Sequence, residues 1–222
     1  MLFSLLRGAS GVEIIVLLFA RAFVVFCTMP VHEYAHALIA TKLGDQTPRL
    51  SGRLTLNPMA HIDWIGAAMI FLVGFGYAKP VPVNPRNFKN SKKGMALTAV
   101  AGPLSNILMA AVFILFMNIM GFFNATLIIK AIYSFFYFAA SINIGLAVFN
   151  LIPIPPLDGS RVLQLLIPDK YYFKFMQYER YIIIAVFALI LFGVLDKPIA
   201  IINNVIFNGL SYIIGLPFRA FA

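Results

Sequence analysis

The chain is expected to fold as an all-α polytopic membrane protein. It should have about five to six membrane helices, with a short re-entrant or β-like segment between the first and second core helices. Three observations predict this. Of 222 residues, 61% are hydrophobic and 11% charged, and mean hydropathy is +0.91, far from the balance of a water-soluble domain. The apolar residues gather into runs of membrane-spanning length. The cations behind the net charge of +9 lie in the short connections between those runs, as cytoplasmic loops require. That placement argues against a nucleic-acid partner, which calls for cations clustered on one face.

Taken in order, residues 1–11 read as a short interfacial lead-in. The N-terminus is apolar with Arg7 near its start, but no small-residue cleavage site precedes His32, so no removable signal peptide is expected. The segment Val12 to Leu43 is long enough to span a bilayer and protrude. Pro30 removes one backbone hydrogen bond within it, so a kink or loosening is expected there. Arg21 is expected to pair with an acid such as Glu13, or to snorkel. Cys27, the single cysteine, excludes an internal disulfide and reads as a small buried hydrophobe. After Gly44 to Pro48 ends the segment, Leu50, Leu54 and Leu56 alternate with polar neighbours as far as Asn57-Pro58, which is a strand pattern. Such a strand would be placed to receive an unwound peptide by strand addition.

The apolar, glycine-containing piece from Trp64 to Tyr77 is short and is expected to re-enter. Residues 78–85 are punctuated by prolines and suit an edge strand or polyproline stretch. A basic cluster follows: Arg86, Lys89, Lys92 and Lys93. Residues 95–119 and 127–150 are two more membrane helices, joined by an uncharged turn at Gly121. The second carries Asn143 and Asn150 seven residues apart on one face, and Pro153, Pro155 and Pro156 stop it. Arg161 to Ile167 is amphipathic, a charged connection runs through Arg180, and apolar helices at about 180–195 and 199–217 close the chain. No linker or repeat divides it. Residues 1–222 are therefore expected to form one integral-membrane domain, core 12–165, with extra C-terminal helices at 180–217.

If residues 64–77 re-enter, the basic loops 42–93 and 159–180 share one side. The positive-inside rule places that side in the cytoplasm of a multi-pass cell-membrane protein. His36 and Asp158 then sit at matching depth near it.

Two of three histidines and one of three glutamates fall within His32-Glu33-x-x-His36. Residues four apart share a helix face, so both imidazoles can bind one zinc ion while Glu33 takes a proton from an attacking water. Ionisable groups at membrane depth are costly and usually functional. A catalytic zinc needs a third protein ligand. Asp158, beside Gly159, is a candidate, but it serves equally well as the cap of the following helix. His61 competes for the role, with Asp63 near to orient it, and is otherwise a supporting or substrate-contacting group.

These residues resemble the site-2 protease family of intramembrane zinc metalloproteases. His32-Glu33-x-x-His36 is matched with Asn150-Leu-Ile-Pro-Ile-Pro-Pro-Leu-Asp158-Gly159. Ala101-Gly-Pro-Leu-Ser-Asn106 and Gly76-Tyr-Ala-Lys-Pro-Val-Pro-Val-Asn-Pro85 resemble its small, compact branch. The resemblance covers roughly residues 12–165. It implies one Zn2+ per chain on His32, His36 and Asp158, with Glu33 catalytic. It also implies that Asn150 lies near the metal, and it makes Asn106 a substrate or supporting candidate. The activity implied is endopeptidase cleavage in or near transmembrane segments of membrane-protein substrates within the lipid bilayer. Two features depart from many relatives: there is no room for a PDZ insert between the motifs or for a C-terminal nucleotide-sensing domain, and the family's Asn-Pro-Asp-Gly reads Pro-Leu-Asp158-Gly159. Two other classes remain open at this stage: an ion carrier using buried polar groups, and a catalytically inactive relative that binds membrane proteins.

Overall fold

Ser10 opens the first helix with a reciprocal cap. Its hydroxyl accepts from the Glu13 N–H at 3.3 Å, and the Glu13 carboxylate accepts from the Ser10 N–H at 2.8 Å. The computed structural model of the protein describes residues 10–73 and 76–219, so the expected lead-in at 1–11 lies almost wholly outside the described residues. From the cap, α1 (Gly11–Phe23) passes through one π-helical turn, Val24–Thr28, into α2 (Met29–Lys42). Together they make a continuous apolar helix of 32 residues. The loosening expected at Pro30 is this π turn. Pro30 sits in the first turn of α2 without an N–H to give the carbonyl four residues back, and the wider turn before it accommodates the ring.

Two side chains on this helix depart from expectation. Cys27 is exposed rather than buried, because Val24, Val25 and Thr28 occupy the buried side of the π turn. A thiol facing lipid carries little polar cost. Arg21 neither pairs with Glu13, which the cap uses, nor snorkels. It is buried, and its Nη1 donates to the Phe71 carbonyl.

α2 stops at Gly44, whose φ of 112° favours glycine. The Asp45 N–H then reaches back to the Ala40 carbonyl at 3.0 Å in a Schellman turn. The strand pattern at 49–57 is not realised. α3 (Thr47–Leu50) is one helical turn, residues 51–57 are irregular, and no strand forms among the described residues. Local polar groups win. The Arg53 N–H returns to the Pro48 carbonyl at 2.8 Å, and its guanidinium donates to the carbonyls of Ala60 and Lys79. With those groups used locally and no partner edge nearby, Leu50 and Leu56 stay exposed. Strand addition at Leu50–Leu56 therefore has no structural basis.

α4 (Pro58–His61) leads to α5 (Trp64–Val73), whose ten residues reach about 15 Å, half of a bilayer core. The chain comes back beside its own start: the Lys79 N–H donates to the His61 carbonyl at 2.8 Å. A Cβ on Gly66 would strike the Tyr77 backbone, and one on Gly76 would strike Gly66, so glycines permit the close return. The piece doubles back on itself. Residues 76–84 run back without ladder partners, as their prolines require.

α6 (Ser91–Met120), capped by Asn90, and α7 (Leu127–Asn150), capped by Thr126, form the centre of the bundle. Ala110, Phe113, Ile114 and Met117 pack against Ala139, Ala140, Ile144 and Val148. Lipid tails are as apolar as leucine, so burial alone does not pair membrane helices; the fully buried alanines let these two approach closely. α8 (Gly159–Leu166), α9 (Asp169–Met176), α10 (Glu179–Leu191) and α11 (Asp196–Arg219) follow. The Asn203 amide donates to the Ser141 carbonyl at 2.9 Å and ties α11 to α7.

Among the described residues, four helices are long and apolar enough to cross a membrane: Gly11–Lys42, Ser91–Met120, Leu127–Asn150 and Asp196–Phe218. α5 and α10 are shorter apolar helices beside them. The outward faces carry exposed Phe19, Leu108, Phe116 and Ile213, a surface suited to lipid.

Candidate metal centre

On α2, a helical repeat aims His32 and His36 at α6, and their Nε2 atoms stand 3.0 Å apart. α6 accepts them through what it lacks. A Cβ at Gly102 would overlap the His36 Nε2 and lie 2.6 Å from both Cε1 and Nε2 of His32. One turn earlier, the Thr98 carbonyl lies 2.7 Å from His36 Nδ1.

Asp158 approaches from the far side. It stands in the cap position of α8 but makes no side-chain cap bond. Its Oδ2 instead lies 3.5 Å from His32 Nε2 and 3.3 Å from His36 Nε2. The turn that delivers it requires Gly159, where a Cβ would run into the Leu151 and Ile152 carbonyls. Burial works against its charge, but the adjacent His36 and His32 hold the Asp158 carboxyl below the usual carboxylate range.

These residues fit a zinc ion. Ligands about 2.0–2.1 Å from a tetrahedral centre lie about 3.3 Å from one another, and the three donor atoms here are separated by 3.0, 3.3 and 3.5 Å. Oδ2 of Asp158 is buried without a hydrogen-bond partner, which suits an atom facing a cation. His32, His36 and Asp158 form a group that can hold a metal among the described residues.

The donors border a cavity of about 590 Å³, also lined by Glu33, Asn106 and Asn150. Asn106 is 2% exposed and its Oδ1 has no partner among the described residues. His61 sits elsewhere: it is fully buried, with Nε2 2.8 Å from the Thr55 carbonyl, and it is not in the metal-capable group. Asn143 is buried and donates to the Ala139 carbonyl at 2.8 Å, away from the cavity lining.

Nothing in the sequence marked Thr98, and Gly102 stood within a matched motif without a role for it. The first acts through its backbone, which leaves no sequence signal. A role for the second could have been found, as a glycine beside Pro103 inside an apolar helix. The return limb was also missed as a cavity wall, to which Tyr77, Pro80 and Val81 contribute.

A bundle of membrane-length helices that converges a His-Glu-x-x-His helix and a distant aspartate on one point defines a class, the membrane-embedded zinc metalloproteases. Comparison with known proteins agrees. The model of Peptidase family M50 matches residues 117–193. Over 153 residues the chain is 40% identical to "Putative zinc metalloprotease YwhC" of Bacillus subtilis (strain 168), covering 68% of this chain and 70% of that one. It is 25% identical over 164 residues to "Putative zinc metalloprotease Rip2" of Mycolicibacterium smegmatis, covering 72% of this chain and 60% of the relative. A third relative, "Putative zinc metalloprotease MJ0611" of Methanocaldococcus jannaschii, is 44% identical over 66 residues, 30% of this chain and 31% of its own length. No solved structure matches. The chain belongs to peptidase family M50, the site-2 proteases.

Proposed function

We propose that His32, His36 and Asp158 hold one zinc ion per chain, that Glu33 is the general base, and that the protein cuts peptide bonds in or near transmembrane segments of other membrane proteins. The observation that carries this reading is the donor-atom spacing of 3.0, 3.3 and 3.5 Å at the edge of a cavity that also contains Glu33. Zinc held there supplies Lewis-acid polarisation and makes water more acidic.

The chain's own residues supply the rest. Glu33 takes the proton from the attacking water and passes it to the leaving amine. The Thr98 carbonyl fixes the His36 ring. Asn106 and Asn150 offer side-chain amides toward the cavity, where they can hold a substrate backbone. A transmembrane helix hides its carbonyls in its own hydrogen bonds, so substrate must unwind locally before Glu33 can act on it. Met29, Met69, Val81 and Leu146 line the cavity and suit an apolar segment.

The site opens toward the cytoplasmic face of the cell membrane in this reading. The re-entrant α5 keeps the basic residues Arg86, Lys89 and Lys93 on the side where α2 ends. Single cysteines at Lys89 and Lys174, with Cys27 replaced, should react only from the cytoplasm, and one at Asn124 only from outside. The test of function is zinc stoichiometry in the purified protein together with cleavage of a model single-span substrate. Folded protein that holds no zinc, or holds zinc and cuts nothing, would overturn the reading.

A further inference from the structure

Arg21 is a charged residue deep in the first membrane helix, and the metal chemistry does not use it. It is 3% exposed. Its Nη1 donates to the Phe71 carbonyl, and its buried Nε has no partner among the described residues. The acid nearest in sequence, Glu13, is held by Ser10. A buried cation at membrane depth is costly unless something of opposite sign faces it. Here that is the C-terminal end of α5.

The end of α5 has the complementary problem. The last carbonyls of a helix have no partner within it, and hydrocarbon offers no water to satisfy them. Together they carry about half a negative charge. Arg21 supplies a charged donor to that last turn, at the Phe71 carbonyl.

The π turn explains how the residue comes to face α5. Arg21 precedes His32 by eleven residues, about three turns of an unbroken α-helix, which would aim both at one side. The wider turn at Val24–Thr28 rotates α1 relative to α2. His32 and His36 consequently face α6 while Arg21 reaches α5. The limb returning from α5 matters because Gly76, Tyr77, Ala78, Pro80 and Val81 wall the metal cavity.

We propose that Arg21 is a positioning residue whose guanidinium caps the membrane-embedded end of α5 and so holds one wall of the metal cavity in place. The effect on cleavage rests on the proteolytic reading above; the effect on α5 does not. The experiment is hydrogen exchange on the full-length protein in lipid nanodiscs, comparing the unsubstituted chain with Arg21→Met and Arg21→Lys. In Arg21→Met, amides of residues 64–73 should exchange about tenfold faster or more, the scale expected when a hydrogen bond to a charged group is lost. α6 and α7 should be unchanged and zinc retained. Arg21→Lys, which keeps the charge and a donor, should restore most of the protection. With a model substrate, KM should rise more than kcat falls, since zinc and Glu33 remain.

Unchanged exchange at 64–73, an increase spread over the whole bundle, or no rescue by lysine would overturn the proposal. Should Arg21→Met fail to insert, Arg21→Gln decides by the same criterion of a selective increase at 64–73. Absence of cleavage by the unsubstituted protein would overturn the proteolytic reading and leave the exchange result readable.

Discussion

His36 Nδ1 stands 2.7 Å from the carbonyl oxygen of Thr98 on the facing helix. A carbonyl only accepts, so Nδ1 carries the proton and Nε2 keeps its lone pair for the metal position. Four residues further along α6, Gly102 leaves the space both rings occupy. One hydrogen bond and one missing side chain thus seat the metal-binding face of α2.

Gly102→Ala follows directly. The added Cβ would lie 2.6 Å from two atoms of the His32 ring, and relieving such an overlap costs about 1–3 kcal/mol in a packed interior. Zinc content and cleavage should both fall. Gly209→Ala, where a Cβ meets nothing within 4 Å, should be neutral or slightly stabilising. Zinc per chain measured on both variants checks this, and equal zinc in the two would contradict the packing argument.

Glu33→Gln keeps size and polarity but removes the base. Zinc should stay bound while cleavage drops about 10²–10⁴-fold, the range for losing a general base. Near-normal turnover would mean that another group takes the proton.

Asp158→Asn separates ligand from cap. Asparagine caps a helix about as well as aspartate, whereas a neutral amide is a poor substitute for a charged oxygen facing a dication in a low-dielectric site. Weakened zinc retention and lost activity are expected, in protein that still inserts. His61→Ala should keep its zinc. The opposite pattern would make His61 the ligand.

Asp45 gives a pH dependence away from the metal. Its carboxylate is fully buried and accepts from the Thr47 N–H at 3.1 Å and hydroxyl at 2.6 Å, the Asn84 N–H at 2.7 Å and the Asn87 amide at 2.7 Å. Burial opposes its charge, but these bonds from Thr47, Asn84 and Asn87 prevail and hold it below the usual carboxylate range. A group whose folded value is depressed stabilises fully above its unfolded pKa of about 3.9, and that contribution is lost as pH falls through the lower folded value. Asp45→Asn should lose about 1.5–3 kcal/mol near neutral pH and flatten the acid limb of a thermal-unfolding profile. A variant that follows the parent curve at every pH would contradict this.

Much of the architecture was legible in local pattern. Apolar runs of spanning length mark the long helices because each satisfies its own backbone in lipid, needing no distant partner. The His32–His36 pair was legible because four residues bring a helix back to one face whatever surrounds it. The alternating leucines misled for the converse reason: a strand exists only where another edge pairs with it, and Arg53 and Asp45 direct that stretch into turns.

By itself, then, the sequence determined the membrane-helical class and the helix that carries His32, Glu33 and His36. Tertiary structure alone decided which reading of Asp158 its geometry favours, where His61 points, that Gly102 and Thr98 seat the histidines, and that Arg21 meets the end of α5. Each of these depends on groups far apart in the chain. Their proximity follows from how helices pack and rotate against one another, which periodicity within one helix does not encode.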